Sequence, residues 1–243
     1  MTNYDFVGGT YANSNMVTAM QFESSSQSLG FTSTLIGNKA YFVFGEQMVC
    51  LGNSIYSQDD YEVETIIENR NLTGKLYMES DNPVIDKVGK VNSNYIYIEN
   101  YGGIFIPEFL LEKARFNITD KNFLEIYFIH GKKFENENYE YMIFPKIKRD
   151  EIPNAVINIE ILSNNSTVSA VKNKKLNLIE YVFWKSGQLN NIKVDNPCTL
   201  IIDNDDIYVT DPTHKLDYVK VSIGNDDYMI RVEKGYTSKI KKK

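Results

Sequence analysis

Short runs of alternating or β-branched residues recur along the whole chain, and nothing between them reads as an amphipathic helix. Tyr95-Ile96-Tyr97-Ile98-Glu99 and Leu124-Glu125-Ile126-Tyr127-Phe128-Ile129 show the pattern. A period of two places every second side chain on one face of a pleated strand. Further runs are Met16–Phe22, Lys39–Phe44, Tyr61–Glu68, Gly74–Met78 and Tyr139–Phe144, then Ala155–Leu162, Leu176–Trp184, Cys198–Ile202, Ile207–Thr210, Tyr218–Ile223 and Asp227–Val232. Gly, Asn and Asp punctuate them, as at Gly52-Asn53, Gly102-Gly103 and Gly224-Asn225. The 17 Tyr and 13 Phe against a single Trp fit half-buried sheet surfaces. Many strands without intervening helices imply an all-β chain of antiparallel sheets packed as sandwiches. One or two helical turns are expected at Pro107–Arg115, where Pro107 suits the first turn.

The charged stretch Lys146-Ile147-Lys148-Arg149-Asp150-Glu151-Ile152-Pro153 marks a junction. It divides the chain into a larger sandwich over residues 1–150 and a smaller C-terminal one over residues 155–243. The smaller one ends in the basic tail Lys239-Ile240-Lys241-Lys242-Lys243, expected to be a solvated, disordered end.

The net charge is −6, so approach to a polyanion needs a local basic patch, and nucleic acid is not an expected partner. No apolar run reaches the ~20 residues of a membrane span. Met1-Thr2-Asn3-Tyr4-Asp5 has neither the basic nor the apolar region of a signal peptide. A chain expressed as it stands is expected in the cytoplasm. Cys50 and Cys198 each lie in an apolar run and form no CxxC pair, which argues against zinc and dithiol chemistry. Buried free thiols are expected, with a disulfide between them left open.

Chemistry is hard to find in the residues themselves. His130 ends an apolar strand, and His214 lies in the turn-like Asp211-Pro212-Thr213-His214-Lys215. A general base needs a positioned partner, and neither histidine has one in sequence. Both read as turn or strand-end residues satisfied by backbone or water. Glu23-Ser24-Ser25-Ser26-Gln27 lacks a nucleophile-elbow context and reads as a polar loop. Asp203-Asn204-Asp205-Asp206 lacks the glycine and glutamate of a calcium loop; it reads as a turn, as do Asp59-Asp60 and Asp226-Asp227. Gly8-Gly9-Thr10 is followed by no Gly-Lys-Ser/Thr and is not a phosphate loop. Tyr4, Tyr11, Tyr56, Tyr101 and Trp184 are candidates for stacking on sugars, with core packing the expectation for Trp184. No catalytic, cofactor or metal residue is assigned.

The order of segments says more. Phe6-Val7-Gly8-Gly9 is followed by Gly37-Asn38-Lys39-Ala40-Tyr41-Phe42-Val43-Phe44, then Met48-Val49-Cys50-Leu51-Gly52-Asn53-Ser54-Ile55, then Thr65-Ile66-Ile67-Glu68-Asn69-Arg70. Glu99-Asn100-Tyr101-Gly102-Gly103, His130-Gly131 and Tyr139-Glu140-Tyr141-Met142-Ile143-Phe144-Pro145 complete the series. This string resembles polysaccharide lyase family 8, the hyaluronate, chondroitin AC and xanthan lyases. In that family K-S-W-F-F, V-C-L-G-x-x-I, T-x-x-E-N-R, H-G and Y-x-Y-x-x-x-P elements occur in this order. Ala40-Tyr41 replaces the family's Ser-Trp and keeps an aromatic in place. The hyaluronate-lyase branch is the expectation.

The resemblance implies part of a large supersandwich followed by a small C-terminal β-sandwich, in an enzyme that eliminates across the bond beside a uronic acid. The implied catalytic Asn, His, Tyr and Arg belong to an N-terminal α/α toroid and precede the Phe6-Val7-Gly8-Gly9 element, so none is mapped onto this chain. The implied partner is hyaluronate or chondroitin, reached through that toroid. No cofactor is expected, the chain is expected to be a monomer, and the full-length family member is expected outside the cell. Two further readings are a non-catalytic carbohydrate-binding module and a non-functional remnant. A partial sandwich is expected to carry an unpaired strand edge and exposed apolar surface.

Overall fold

A computed structural model describes residues 4–24, 32–78 and 80–242. Ser25, Ser26 and Gln27 of the polar loop, Met1–Asn3 and Lys243 lie outside the described residues. The first part runs β1 (Val7–Ala12), β2 (Asn15–Glu23), β3 (Ile36–Phe44), β4 (Gln47–Ser57), β5 (Val63–Asn71), β6 (Leu76–Tyr77), β7 (Val88–Lys90), β8 (Tyr95–Ile98), β9 (Gly102–Phe105), β10 (Ala114–Ile118), β11 (Phe123–Gly131) and β12 (Phe134–Pro145). The helix α1 (Ile152–Ile157) leads into β13 (Ile159–Asn164), β14 (Val168–Asn173), β15 (Leu178–Phe183), β16 (Gly187–Leu189), β17 (Ile192–Val194) and β18 (Cys198–Asp203). β19 (Asp206–Thr210), β20 (Tyr218–Ile223), β21 (Asp226–Arg231) and β22 (Ser238–Lys241) complete the order.

The strands form four antiparallel sheets, in the orders β1-β2-β3-β4-β12-β9-β8-β6, β5-β11-β10-β7, β13-β14-β15-β18-β19-β22 and β16-β17-β20-β21. A larger sandwich is thus followed by a smaller one. Alternation decides how the sheets stack. In β4, Val49 and Leu51 point into one apolar cluster while Cys50 and Ile55 point into another. In β12, Met142 and Phe144 join the first and Tyr139, Tyr141 and Ile143 the second. β15 repeats this further on, with Leu178 and Val182 in the first cluster and Tyr181 and Phe183 in a third. The result is four layers and three cores. The inner strands of the eight-stranded sheet, β4 and β12, lie between the β5 sheet and the six-stranded sheet, which in turn covers the last sheet. Buried on both faces, the inner strands lose the polar positions of a half-exposed strand.

Asparagines at φ between 51° and 56° turn several of the hairpins, including Asn13, Asn122, Asn177 and Asn204, because their side chains tolerate the left-handed region. Gly102 has φ 141°, and a Cβ there would lie 2.1 Å from the Phe144 carbonyl oxygen.

Three local expectations are corrected. The strand read from Ala155 begins instead at Ile159, and residues 152–157 form α1 with Pro153 in its first turn. The basic tail is not free: β22 pairs with β19 through Asp206↔Lys241 to Val209↔Ser238, and Lys239 Nζ lies 2.8 Å from Asp206. The expected helical turns are a 3-10 segment over Glu108–Lys113, while Arg115 already belongs to β10.

Candidate functional site

Several motif residues meet at β5. Thr65 and His130 both point inward, from β5 and from the end of β11, and Thr65 Oγ1 lies 2.8 Å from His130 Nε2. On the other side of the ring, His130 Nδ1 is 3.7 Å from Glu137 Oε2, and Lys113 Nζ donates to that same carboxylate. His130 therefore has side-chain partners, where a strand-end residue satisfied by backbone or water was expected. Burial pushes the imidazole below its ordinary range, opposed by the Glu137 carboxylate and reinforced by Lys113.

Hydroxyl, imidazole and carboxylate stand in the order of a nucleophile triad. Two facts remove that chemistry. The Nδ1–carboxylate distance exceeds a hydrogen bond, and the His130 side chain is 1% exposed, packed by Phe134 and Tyr139. Substrate has no access. The cluster pins β5 and β11 to β12.

The other motif residues do similar work. Arg70 pairs with Glu68 at 2.9 Å and lays its guanidinium 3.3 Å from the Tyr101 ring centroid. Burial, with the nearby Glu68 carboxylate, pushes the Tyr101 phenol up to about 12. That ring face is occupied, so Tyr101 is not a free stacking platform. Gly52 accommodates the Tyr139 ring, since a Cβ there would lie 2.1 Å from Tyr139 Cε1. Tyr141 pairs across β12 and β4 with Cys50.

A second polar cluster joins the two sandwiches. Asn38 donates to Asn53 (3.0 Å), and Asn53 donates to Asn164 (3.1 Å) and to Ser169 Oγ (3.0 Å). Trp184 Nε1 donates to the same Ser169 oxygen at 3.1 Å. Trp184 is a core residue as expected, 5% exposed, with its ring 5.0 Å from Phe6.

The remaining candidates separate. Of the proposed stacking aromatics, Tyr11 is exposed, while Tyr4, Tyr56 and Tyr101 are half-buried. Asn204 and Asp205 form the turn between β18 and β19, and Asp59 accepts hydrogen bonds from Ser33 and Thr34. Asp226 and Asp227 instead open β21, with Gly224-Asn225 as the turn. His214 is exposed in its turn at φ 59°. Cys50 and Cys198 are both free and buried, in different cores, and burial raises both thiols, Cys50 to about 12. No group of three metal-ligating side chains occurs among the described residues, nor does a helix long and apolar enough to cross a membrane.

Sequence reasoning passed over one concavity. A pocket of about 460 Å³ is lined by Tyr95, Tyr97, Asp81, Arg149 and Pro153, a volume within the small-molecule range. Its guanidinium is already engaged. Arg149 donates to Ser80 O (2.6 Å), Met78 O (3.1 Å) and Asp81 (3.2 Å) and lies over Tyr77. Alternating Tyr95 and Tyr97 were the available signal, but Arg149 is distant in sequence.

Comparison with known proteins accounts for a chain whose motif residues pack and pin. Residues 1–156 match the polysaccharide lyase family 8 super-sandwich domain and residues 160–220 its C-terminal β-sandwich domain. A hyaluronate lyase from Thermasporomyces composti is 24% identical over 83% of this chain and 30% of its own length. Chondroitinase-AC from Pedobacter heparinus is 24% identical over 87% of this chain and 33% of its own length. A solved chondroitinase AC lyase superposes with a TM-score of 0.82 at 20% identity, over 97% of this chain and 40% of that one. The chain thus spans about a third of the length of these curated relatives, and identity prefers neither the hyaluronate nor the chondroitin branch. With both of its β domains matched in order, the chain belongs to polysaccharide lyase family 8.

Proposed function

We propose that these residues are the β-sandwich portion of a lyase that eliminates across uronic-acid linkages of a glycosaminoglycan. The chemistry is done by side chains of an α/α toroid outside this sequence. The observation that carries the reading is the use of the motif residues within the chain: Thr65–His130 and Gly52–Tyr139 are spent on packing neighbouring strands, and Arg70–Tyr101 on joining two sheets. Such an elimination needs an accessible acid/base and a sink for the uronate charge, and His130 is buried. The substrate is stated as a class, hyaluronate and chondroitin alike, with hyaluronate the first to assay. The complete enzyme acts outside the cell, where these polymers lie.

Purified chain is expected to produce no rise in the unsaturated-uronate absorbance band on hyaluronate or chondroitin. Steady production of unsaturated oligosaccharide by the chain alone overturns the reading.

A second reading, glycan binding by the sandwich itself, is favoured by the pocket of Tyr95 and Tyr97. The acidic net charge of −6 opposes it for an anionic glycan. Titration calorimetry with hyaluronate oligosaccharides separates the two, since the binding reading requires heat at millimolar ligand.

A further inference from the structure

Aromatic rings gather at the β9-β8-β6 end of the eight-stranded sheet, on the face that looks toward the second sandwich. Tyr95 and Tyr97 stand two apart on β8 and so share that face. Tyr97 pairs with Tyr77 of β6, and the two rings lie 6.1 Å apart, tilted by 41°. Tyr95 pairs with Phe105 of β9, at 5.5 Å and 44°. Tyr97 and Phe105 pack on the core that the sandwiches share, while Tyr95 is 37% exposed. The rings therefore lie side by side, as a shelf running from the core out to solvent.

Two walls flank the shelf and make it the floor of the 460 Å³ pocket. Met78 and Asp81, which follow β6, form one of them. Arg149 braces that wall by donating to Met78 O, Ser80 O and Asp81 while lying over Tyr77. The other wall is the start of α1. Ile152 is fully buried and packs on Gly103, where a Cβ would lie 2.5 Å from Ile152 Cδ1. This seats Pro153 at the rim. Both walls are held by contacts within the chain, which lowers the ordering cost of binding.

The polar groups of the pocket select the ligand. Asp81 and Asp150 place two exposed carboxylates there, and Ser93 adds a hydroxyl. Ionised carboxylates only accept hydrogen bonds, so the ligand must bring O–H or N–H donors. The guanidinium of Arg149 is spent on two backbone carbonyls and Asp81. Among the described lining residues, one arginine stands against two aspartates, and a uronate, sulfate or phosphate meets repulsion there. A quaternary ammonium prefers an aromatic cage, whereas these rings form a shelf and Arg149 already covers Tyr77. An uncharged molecule with a flat apolar face and a rim of hydroxyls satisfies every group. A neutral pyranose ring has that shape, with C–H bonds on its face and hydroxyls at its edge.

We propose that the Tyr95–Tyr97 shelf is a non-catalytic subsite for a neutral pyranose residue of a glycan. The sugar stacks on the two phenol rings and its hydroxyls donate to Asp81 and Asp150. This goes beyond the second reading of function, since it exchanges the anionic glycan for a neutral sugar, and it does not depend on the elimination reading.

The test is titration calorimetry of the purified chain with cellotriose and triacetylchitotriose, beside hyaluronate hexasaccharide and tetramethylammonium. Saturable heat at millimolar concentration is expected with a neutral trisaccharide, and binding at least about tenfold weaker with hyaluronate. Tyr95→Ala is expected to weaken the neutral sugar at least about tenfold, as loss of an aromatic anchor does. Tyr95→Phe keeps the ring and the binding, and Tyr11→Ser, on β1, leaves it unchanged. Asp81→Asn with Asp150→Asn is expected to narrow the gap between hyaluronate and the neutral sugar. Should Tyr95→Ala not fold, amide chemical shifts of the wild type locate the sugar without a variant, at residues 93–97 and 149–153. Absence of heat with both neutral sugars overturns the proposal, as does binding indifferent to Tyr95→Ala or shifts confined to other residues. Heat with hyaluronate alone upholds the second reading of function and overturns the neutral subsite. Tetramethylammonium bound at the same residues assigns the shelf to cations and equally overturns it.

Discussion

The ring of Phe6 lies 5.0 Å from that of Trp184, tilted by 46°, and so ties the residue before β1 to the end of β15. Trp184 also reaches Ser169 Oγ, which Asn53 approaches from the other sandwich. Trp184→Ala removes both the ring contact and one of the two donors. It is expected to cost about 3–5 kcal/mol, measured by urea unfolding. Asn53→Ala is expected to cost about 1–3 kcal/mol. Because both residues meet on one hydroxyl, Trp184→Phe and Asn53→Ala should depart from additivity by about 0.5 kcal/mol or more.

His130 titrates with a consequence for stability. Burial depresses its pKa in the folded state below the ordinary 6.5. As pH falls below about 6.5, the unfolded chain binds a proton that the folded chain refuses, so stability declines. His130→Gln removes this proton uptake. The stability difference between wild type and variant should therefore shift against wild type from pH 7 to pH 5, read as urea midpoints across that range. A constant difference refutes the assignment.

Glu180 runs in the opposite sense. Its side chain is fully buried between Leu178 and Val182 in the core shared by the sandwiches. Burial raises its pKa well above 4.5, and the backbone of Val43 and Met16 only partly offsets this. The folded state keeps a proton that the unfolded state releases above about pH 4.5, so the residue lowers stability as pH rises. Glu180→Gln is expected to raise the urea midpoint at pH 8 and to change it little at pH 4. A lower midpoint at pH 8 would show that the carboxyl is compensated.

Asp211 orders the turn that receives β1. Its Oδ1 accepts from the Thr213 amide (2.8 Å) and hydroxyl (2.7 Å), and its Oδ2 from the Lys215 (2.7 Å) and Leu216 (2.8 Å) amides. Burial works against ionisation, yet the Leu216, Thr213 and Lys215 donors hold the carboxyl below its usual range. This contribution is present above about pH 3.8 and is lost as pH falls through the depressed value. Asp211→Asn turns an amide towards donors and should cost about 1–3 kcal/mol at pH 7, with the difference shrinking in acid. Thermal melts at pH 7 and pH 3 check this.

Alternation made strands such as β8 and β11 legible, because one face of each meets a core. It failed at β14, where Val168 and Ala170 face one core and Val171 another, so no polar period remains. It failed at α1, whose six residues are too few to show a helical period, and at β22, whose lysines masked a paired edge. The order of motifs identified the family, but it could not show what the motifs touch. Thr65 and His130 stand 65 positions apart, and only the pairing of β5 with β11 brings them together. Asp211 read as one turn residue among several, since its four donors come from backbone and a neighbour rather than from a pattern.

The core between the eight-stranded and six-stranded sheets is built from both sandwiches, with Phe42 and Phe144 from one and Val182 and Ile201 from the other. Neither half can be cut away without opening that core to water. Recombination at the point where one matched domain ends and the next begins would yield two insoluble halves rather than two portable modules. The two are therefore expected to travel through evolution as a single heritable block, gained, lost and exchanged together.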